Sequence, residues 1–242
     1  MADAIRAFVA VDGGIDQSEI ERVSAFDERE LPPSFSMRAY TQSALCHVLR
    51  GDEERADSYV DLLLRYFASR PRLWSQGPTL ATPLLAVVLA RRGRFEEAVG
   101  VLPLRPRSGG AGLTYQALCE VTAARGAWDE APGLTSAARE EAAAGELLAL
   151  PLYADRLEGR AAAAAGDGEA AAALLRGSAD GFRELEAPWE EAWSRLLLGE
   201  VLLPLEREPA ERELAAALGV FEQLGSVREA ERARAPLAHT AM

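Results

Sequence analysis

Along most of this chain, apolar residues recur every three or four positions and are separated by short polar breaks. After Gly51 they fall at Ala56, Tyr59, Val60, Leu63 and Phe67, and after Gly166 at Ala171, Leu174, Leu175, Phe182 and Leu185. Each set traces one face of a helix. No segment alternates cleanly with period two, so the pattern predicts an all-α chain. One run, LATPLLAVVLA from Leu80 to Ala90, is apolar all round. With 11 residues and Pro83 inside it, it is too short to span a bilayer, and it predicts a helix buried between neighbours.

The breaks resemble one another. LRGDEERA, RRGRFEEA, ARGAWDEA and AAGDGEAA each place a glycine five residues before an alanine: Gly51/Ala56, Gly93/Ala98, Gly126/Ala131 and Gly166/Ala171. A fifth copy around Glu206 has no glycine, and its Ala210 comes one residue early. Seven residues before each turn stands a small residue: Ala44, Ala86, Cys119, Gly159 and Gly199. Self-similarity of this kind, at spacings of 33 to 42 residues, marks a helical repeat. The physical reading is a helix–turn–helix hairpin. The glycine ends the first helix in the left-handed conformation. Acidic residues follow at the positive N-terminus of the second helix. The two small residues let the helices approach closely, and Phe95, two places after Gly93, plugs its hairpin.

Hairpins are predicted at about 34–68, 78–103, 111–144, 148–186 and 188–224. Residues 1–33 read as N-terminal capping helices, with a break at LPPS (31–34), residues 34–225 as the repeat array, and 226–242 as a capping helix and tail. LPLRPRSGGAG (102–112) is the clearest loop.

The Gly-x-aromatic-acidic-Glu-Ala turn, with a small residue seven earlier, resembles the tetratricopeptide repeat (TPR). Gly93, Phe95 and Ala98 fit it best, then Gly126, Trp128 and Ala131. The longer spacings, and the segment from Phe182 to Gly225 above all, are similar to the repeats of MalT-like, LuxR-type ATP-dependent regulators and related large bacterial signalling proteins. The resemblance covers roughly residues 34–238 and implies a right-handed superhelical solenoid of about five hairpins. In that family the first helix of each hairpin lines the concave surface. Carried over, the positions that face it are Leu113, Gln116, Glu120 and Ala123, then Tyr153, Arg156, Arg160 and Ala163, then Trp193, Leu196, Glu200 and Leu203. Gln116, Glu120, Tyr153, Arg156, Arg160, Trp193 and Glu200 are the candidate binding residues. Arg156 and Arg160, flanked by Tyr153, suit a carboxylate or an acidic peptide. The alternative is that these arginines pair with glutamates of a neighbouring helix.

Composition narrows the function. With 49% hydrophobic residues in 242, the chain has ample material for a continuous core. All 26 basic residues are arginine, which removes phosphate-loop and Schiff-base lysines. A net charge of −12 argues against direct nucleic-acid binding. Two cysteines, Cys46 and Cys119, make no disulfide framework, and the N-terminus is no signal peptide, so a cytoplasmic location and no membrane association are expected. The two histidines, His47 and His239, assemble neither a metal site nor a Ser/His/Asp set. RSGGAGL (107–113) lacks the Lys-Ser/Thr of a phosphate loop. The glutamate pairs 53/54, 96/97, 140/141 and 190/191 fall mostly in first turns or on solvated faces. No cofactor and no catalytic site are predicted. The expected function is a non-catalytic scaffold for a protein or peptide in bacterial signalling or transcriptional regulation. The alternative is the small-effector sensor module of a larger regulator.

Overall fold

The computed structural model describes residues 40–41, 43–45, 47–69, 81–102, 111–145 and 147–238. The expected N-terminal capping helices, the LPPS break, most of the 102–112 loop, Cys46 and His239 lie outside the described residues. Every described element is helical. Helical residues between 40 and 49 are followed by α1 (Glu53–Ser69), α2 (Ala81–Arg91), α3 (Phe95–Val101), α4 (Ala111–Arg125), α5 (Ala131–Gly145), α6 (Leu150–Ala164), α7 (Gly168–Glu184), α8 (Pro188–Leu202), α9 (Arg207–Leu224) and α10 (Val227–Ala238). The described residues fall into two compact units that divide between Arg125 and Gly126.

In the unit that ends at Arg125, α2 packs on α1, α3 and α4. Leu85, Ala86, Val88 and Leu89 are fully buried, as the apolar run predicts, and Pro83 sits in the first turn of α2, where no hydrogen bond is lost. In the unit that begins at Gly126, each of α5 to α9 packs against the next helix in the chain, and α9 packs on α10.

The predicted turn chemistry is realised. Gly51, Gly93, Gly126 and Gly166 all have left-handed φ angles, between 66° and 84°. At Gly93 the amide donates to the Ala90 carbonyl and that of Arg94 to the Leu89 carbonyl, which closes the helix end. The small residues do what the spacing predicts: Ala44, Ala86 and Cys119 are buried, and Ala56, Ala98, Ala131, Ala171 and Ala210 are each at most 1% exposed. A Cβ on Gly159 would stand 2.9 Å from Leu175 Cγ, and one on Gly199 only 2.6 Å from Leu214 Cγ.

The fifth turn differs in a way that explains its sequence. Gly159 lies against the Ala171 carbonyl and Gly199 against that of Ala210, so the two pairs are equivalent. The connection between them is one residue shorter in the second case, and no residue in it is left-handed. The shorter turn therefore needs no glycine. One apolar position departs from expectation: Leu185 is 37% exposed, because α7 ends at Glu184 and the chain turns away from the packed face. The next residue, Glu186, has a φ of 54°, the sole left-handed non-glycine among the described residues.

Candidate functional site

In the unit from Gly126, α6, α7, α8, α10 and three turns line a cleft of about 460 Å³. Helix α6 supplies Arg160 and Ala163. Leu175 of α7 and Leu197 and Val201 of α8 form apolar walls, with Pro204 and Leu205 from the short fifth turn. Gly166 and Gly168 form part of the wall as backbone, and Gly168 is bare because a Cβ there would meet Leu205 Cδ1 at 2.9 Å. Trp128, Glu200 and Arg232 complete the lining.

Two guanidinium–indole contacts frame the cleft. The Arg160 guanidinium lies over the Trp128 ring, 5.9 Å from its centroid, and that of Arg232 lies 5.1 Å from the centroid of Trp193. Trp193 is itself stacked on Trp189 at 5.8 Å, so the platform under Arg232 is part of the core. Arg232 donates from Nε and Nη2 to the two Glu200 oxygens at 2.6 and 2.7 Å, a bidentate pair that joins α10 to α8. The start of α10 is fixed separately. Trp189 Nε1 donates to Ser226 Oγ at 3.1 Å, and Ser226 Oγ donates to Glu229 Oε2 at 2.9 Å, with all three residues buried.

The structure distributes the expected binding residues over different environments. Arg160 and Glu200 line the cleft together, with Trp193 beside it beneath Arg232. Gln116 and Glu120 are half-buried on α4, in the other unit. Tyr153 and Arg156 are corrected: they are 7% and 2% exposed and face the interior. Arg156 Nη2 donates to Glu190 Oε2 at 2.5 Å, and Tyr153 Oη donates to Glu190 Oε1 at 3.0 Å. The guanidinium sits 4.9 Å from the Tyr153 ring centroid and 5.0 Å from that of Phe182. The reason is register. Residues four apart share a helix face but lie one turn apart along it, and that turn separates the position beneath the first turn of α8, where Glu190 projects inward, from the open cleft. Glu190 is therefore a buried partner, only 6% exposed, not a solvated member of a glutamate pair. An acidic residue two places after Pro188, in the first turn of a helix facing Arg156, was the available signal.

Trp128 and Arg232 are the cleft residues that sequence reasoning missed. Trp128, two residues after Gly126, presents its ring to Arg160. Arg232 belongs to the capping helix, outside the repeat positions. The Ser226-x-x-Glu229 spacing that starts this helix is a capping-box signature visible in the sequence.

Among the described residues no group of His, Cys, Asp and Glu is placed to hold a metal ion, and no helix is long and apolar enough to cross a membrane. His47 is buried, stacks on Tyr59 at 5.7 Å and has its Nδ1 3.3 Å from Asp52. Burial pushes its pKa below the usual imidazole value, against the pull of Asp52. Compared with family models, curated proteins and solved structures, the chain matches none.

Proposed function

We propose that this chain is a non-catalytic binding module, a right-handed solenoid of about five TPR-like hairpins that holds a protein or peptide ligand in bacterial signalling or transcriptional regulation. The observation that carries this reading is the cleft beside α6 and α8, where Arg160 and Glu200 meet Trp128 and Arg232. Arginine and tryptophan dominate binding hot spots because they combine area with directed donors. The lining offers no nucleophile, and its one carboxylate is held in a bidentate ion pair with Arg232. The net charge of −12 favours partners other than nucleic acid.

Site-directed photocrosslinking tests the reading. A photoreactive side chain at Leu205, on the cleft wall, is expected to capture a partner in cells. The same group at Arg212, on the exposed side of α9, is not. Equal capture from both positions, or from neither, overturns the reading. A second reading, a sensor for a small effector within a larger regulator, is favoured by the volume of the cleft, which falls in the range of about 300–1,000 Å³ typical of small-molecule sites.

A further inference from the structure

We infer that the cleft takes an uncharged apolar group: a hydrocarbon body seated against Val201 and Leu205, with no formal charge on the part that enters. The inference rests on the reading of this cleft as a binding site and names its ligand chemistry. Three observations carry it. First, α6, α8 and the fifth turn give the lining a hydrocarbon surface at Ala163, Leu197, Val201, Pro204 and Leu205. Leu205 is 54% exposed, so part of that surface stands bare and is covered only when the cleft is filled. Second, each charged group of the lining is already engaged within the chain. Glu200 accepts two short hydrogen bonds from Arg232, whose guanidinium also lies over Trp193. Arg160 lies over Trp128 and has a further interaction within the chain. An ion entering the cleft gives up its hydration and regains a partner only by taking one of these groups from its present contact. A hydrocarbon body gives up no such hydration. Third, the field disfavours both signs. The net charge of −12 repels anions at a distance, and the two guanidiniums of the lining repel cations at close range.

The Glu200–Arg232 pair then sets the selectivity of the cleft, and breaking it changes that selectivity, which a merely structural role would not do. In Glu200→Gln the Arg232 guanidinium keeps its contact with Trp193 and loses its carboxylate, so a ligand carboxylate can take that place.

The test titrates three probes with one hydrocarbon body, hydrocinnamyl alcohol, hydrocinnamate and hydrocinnamylammonium, into the full chain by calorimetry at neutral pH. The wild type is expected to bind the alcohol at least about tenfold more tightly than either ion. Glu200→Gln is expected to raise the affinity for hydrocinnamate about tenfold and to leave that for the alcohol unchanged. Leu205→Ser, at an exposed position that leaves the fold intact, is expected to weaken alcohol binding about fivefold. Circular dichroism checks the helix content of both variants. An ion that binds the wild type as tightly as the alcohol, a hydrocinnamate affinity unmoved by Glu200→Gln, an alcohol affinity unmoved by Leu205→Ser, or no saturable binding of the alcohol overturns the inference. A blocked tripeptide with phenylalanine at its centre tells the source. Tighter binding of the tripeptide than of the alcohol assigns the apolar group to a peptide side chain, and the reverse assigns it to a free small molecule. Crosslinking from Leu205 together with a preference for either ion would leave the binding-module reading standing and remove only this ligand class.

Discussion

A single methyl group decides whether the helices of one hairpin can meet. Gly199 lets α8 approach α9 so closely that a Cβ would stand 2.6 Å from Leu214 Cγ and 3.2 Å from the Ala210 carbonyl oxygen. Gly219 lies on the same helix as Leu214 with nothing within 4 Å of its missing Cβ. The two glycines should therefore respond in opposite directions to the same substitution. Gly199→Ala is expected to cost about 1–3 kcal/mol through overpacking. Gly219→Ala is expected to stabilise by about 0.5–1 kcal/mol through helix propensity. Urea unfolding of both variants checks the pair, and two shifts of the same sign would contradict the close approach. Glu186 provides a similar check on backbone strain. With a φ of 54° it pays the left-handed penalty that glycine avoids, so Glu186→Gly is expected to raise stability by up to about 1 kcal/mol. The glycines and alanines of the turns were legible in the sequence because each answers a purely local demand. Glu186 was not, since nothing in its own chemistry announces a positive φ.

Between elements, charge pairs hold what the small residues bring together. Arg139 of α5 donates to Glu158 and Asp155 of α6, and Arg92 reaches back to Asp57 and Glu53 of α1. The hydrogen bonds from Arg139 hold the Glu158 carboxyl below the usual carboxylate range, and those from Arg92 do the same for Asp57. A carboxylate whose pKa is depressed by folding stabilises the protein above its unfolded value. That contribution is lost as the pH falls through the ordinary carboxylate range toward the folded value, below about pH 4. His47 adds the same sign at higher pH. Burial lowers its folded pKa, so acidification below about 6.5 favours the unfolded, protonated imidazole. The urea midpoint is therefore expected to fall steadily from neutral to acid pH. Arg139→Met should flatten the acid end while costing no more than about 1 kcal/mol at neutral pH, because the pair is partly solvated. The buried Arg156–Glu190 pair behaves differently. Arg156→Ala leaves a carboxylate without its cation in the interior and is expected to cost about 3–5 kcal/mol, much of it recovered by Glu190→Leu in the same chain. An Arg156→Ala variant of full stability would return this residue to the candidate binding set. The sequence showed the periodicity of Arg156 and Arg160, but which of the two is buried against Glu190 and which lines the cleft depends on where α8 crosses α6. That is a tertiary fact, and no helical wheel contains it.

At the scale of the whole molecule, helices pack mainly on their neighbours in the chain, and this makes stability a local property. In the unit from Gly126, α8 is enclosed by α7 on one side and α9 on the other, with ten of its fifteen residues buried. Helix α10 has three of twelve buried, packs on α9, and reaches α8 through Arg232 and the Ser226–Trp189 bond. Arrays built from nearest-neighbour contacts open from the sites with the fewest neighbours. Native-state hydrogen exchange is thus expected to show a gradient, with the amides of α8 slowest and those of α10 fastest. Arg232→Met should steepen that gradient by releasing α10 first, because it removes both the Glu200 bridge and the contact with Trp193. The prediction has a functional edge. Arg232 is also a wall of the cleft, so an occupant that binds there should slow exchange in α10 more than in α8, whose protection is already set by burial. Uniform exchange across α7 to α10 would mean that the unit opens in one cooperative step and that the capping helix is no more easily released than the core.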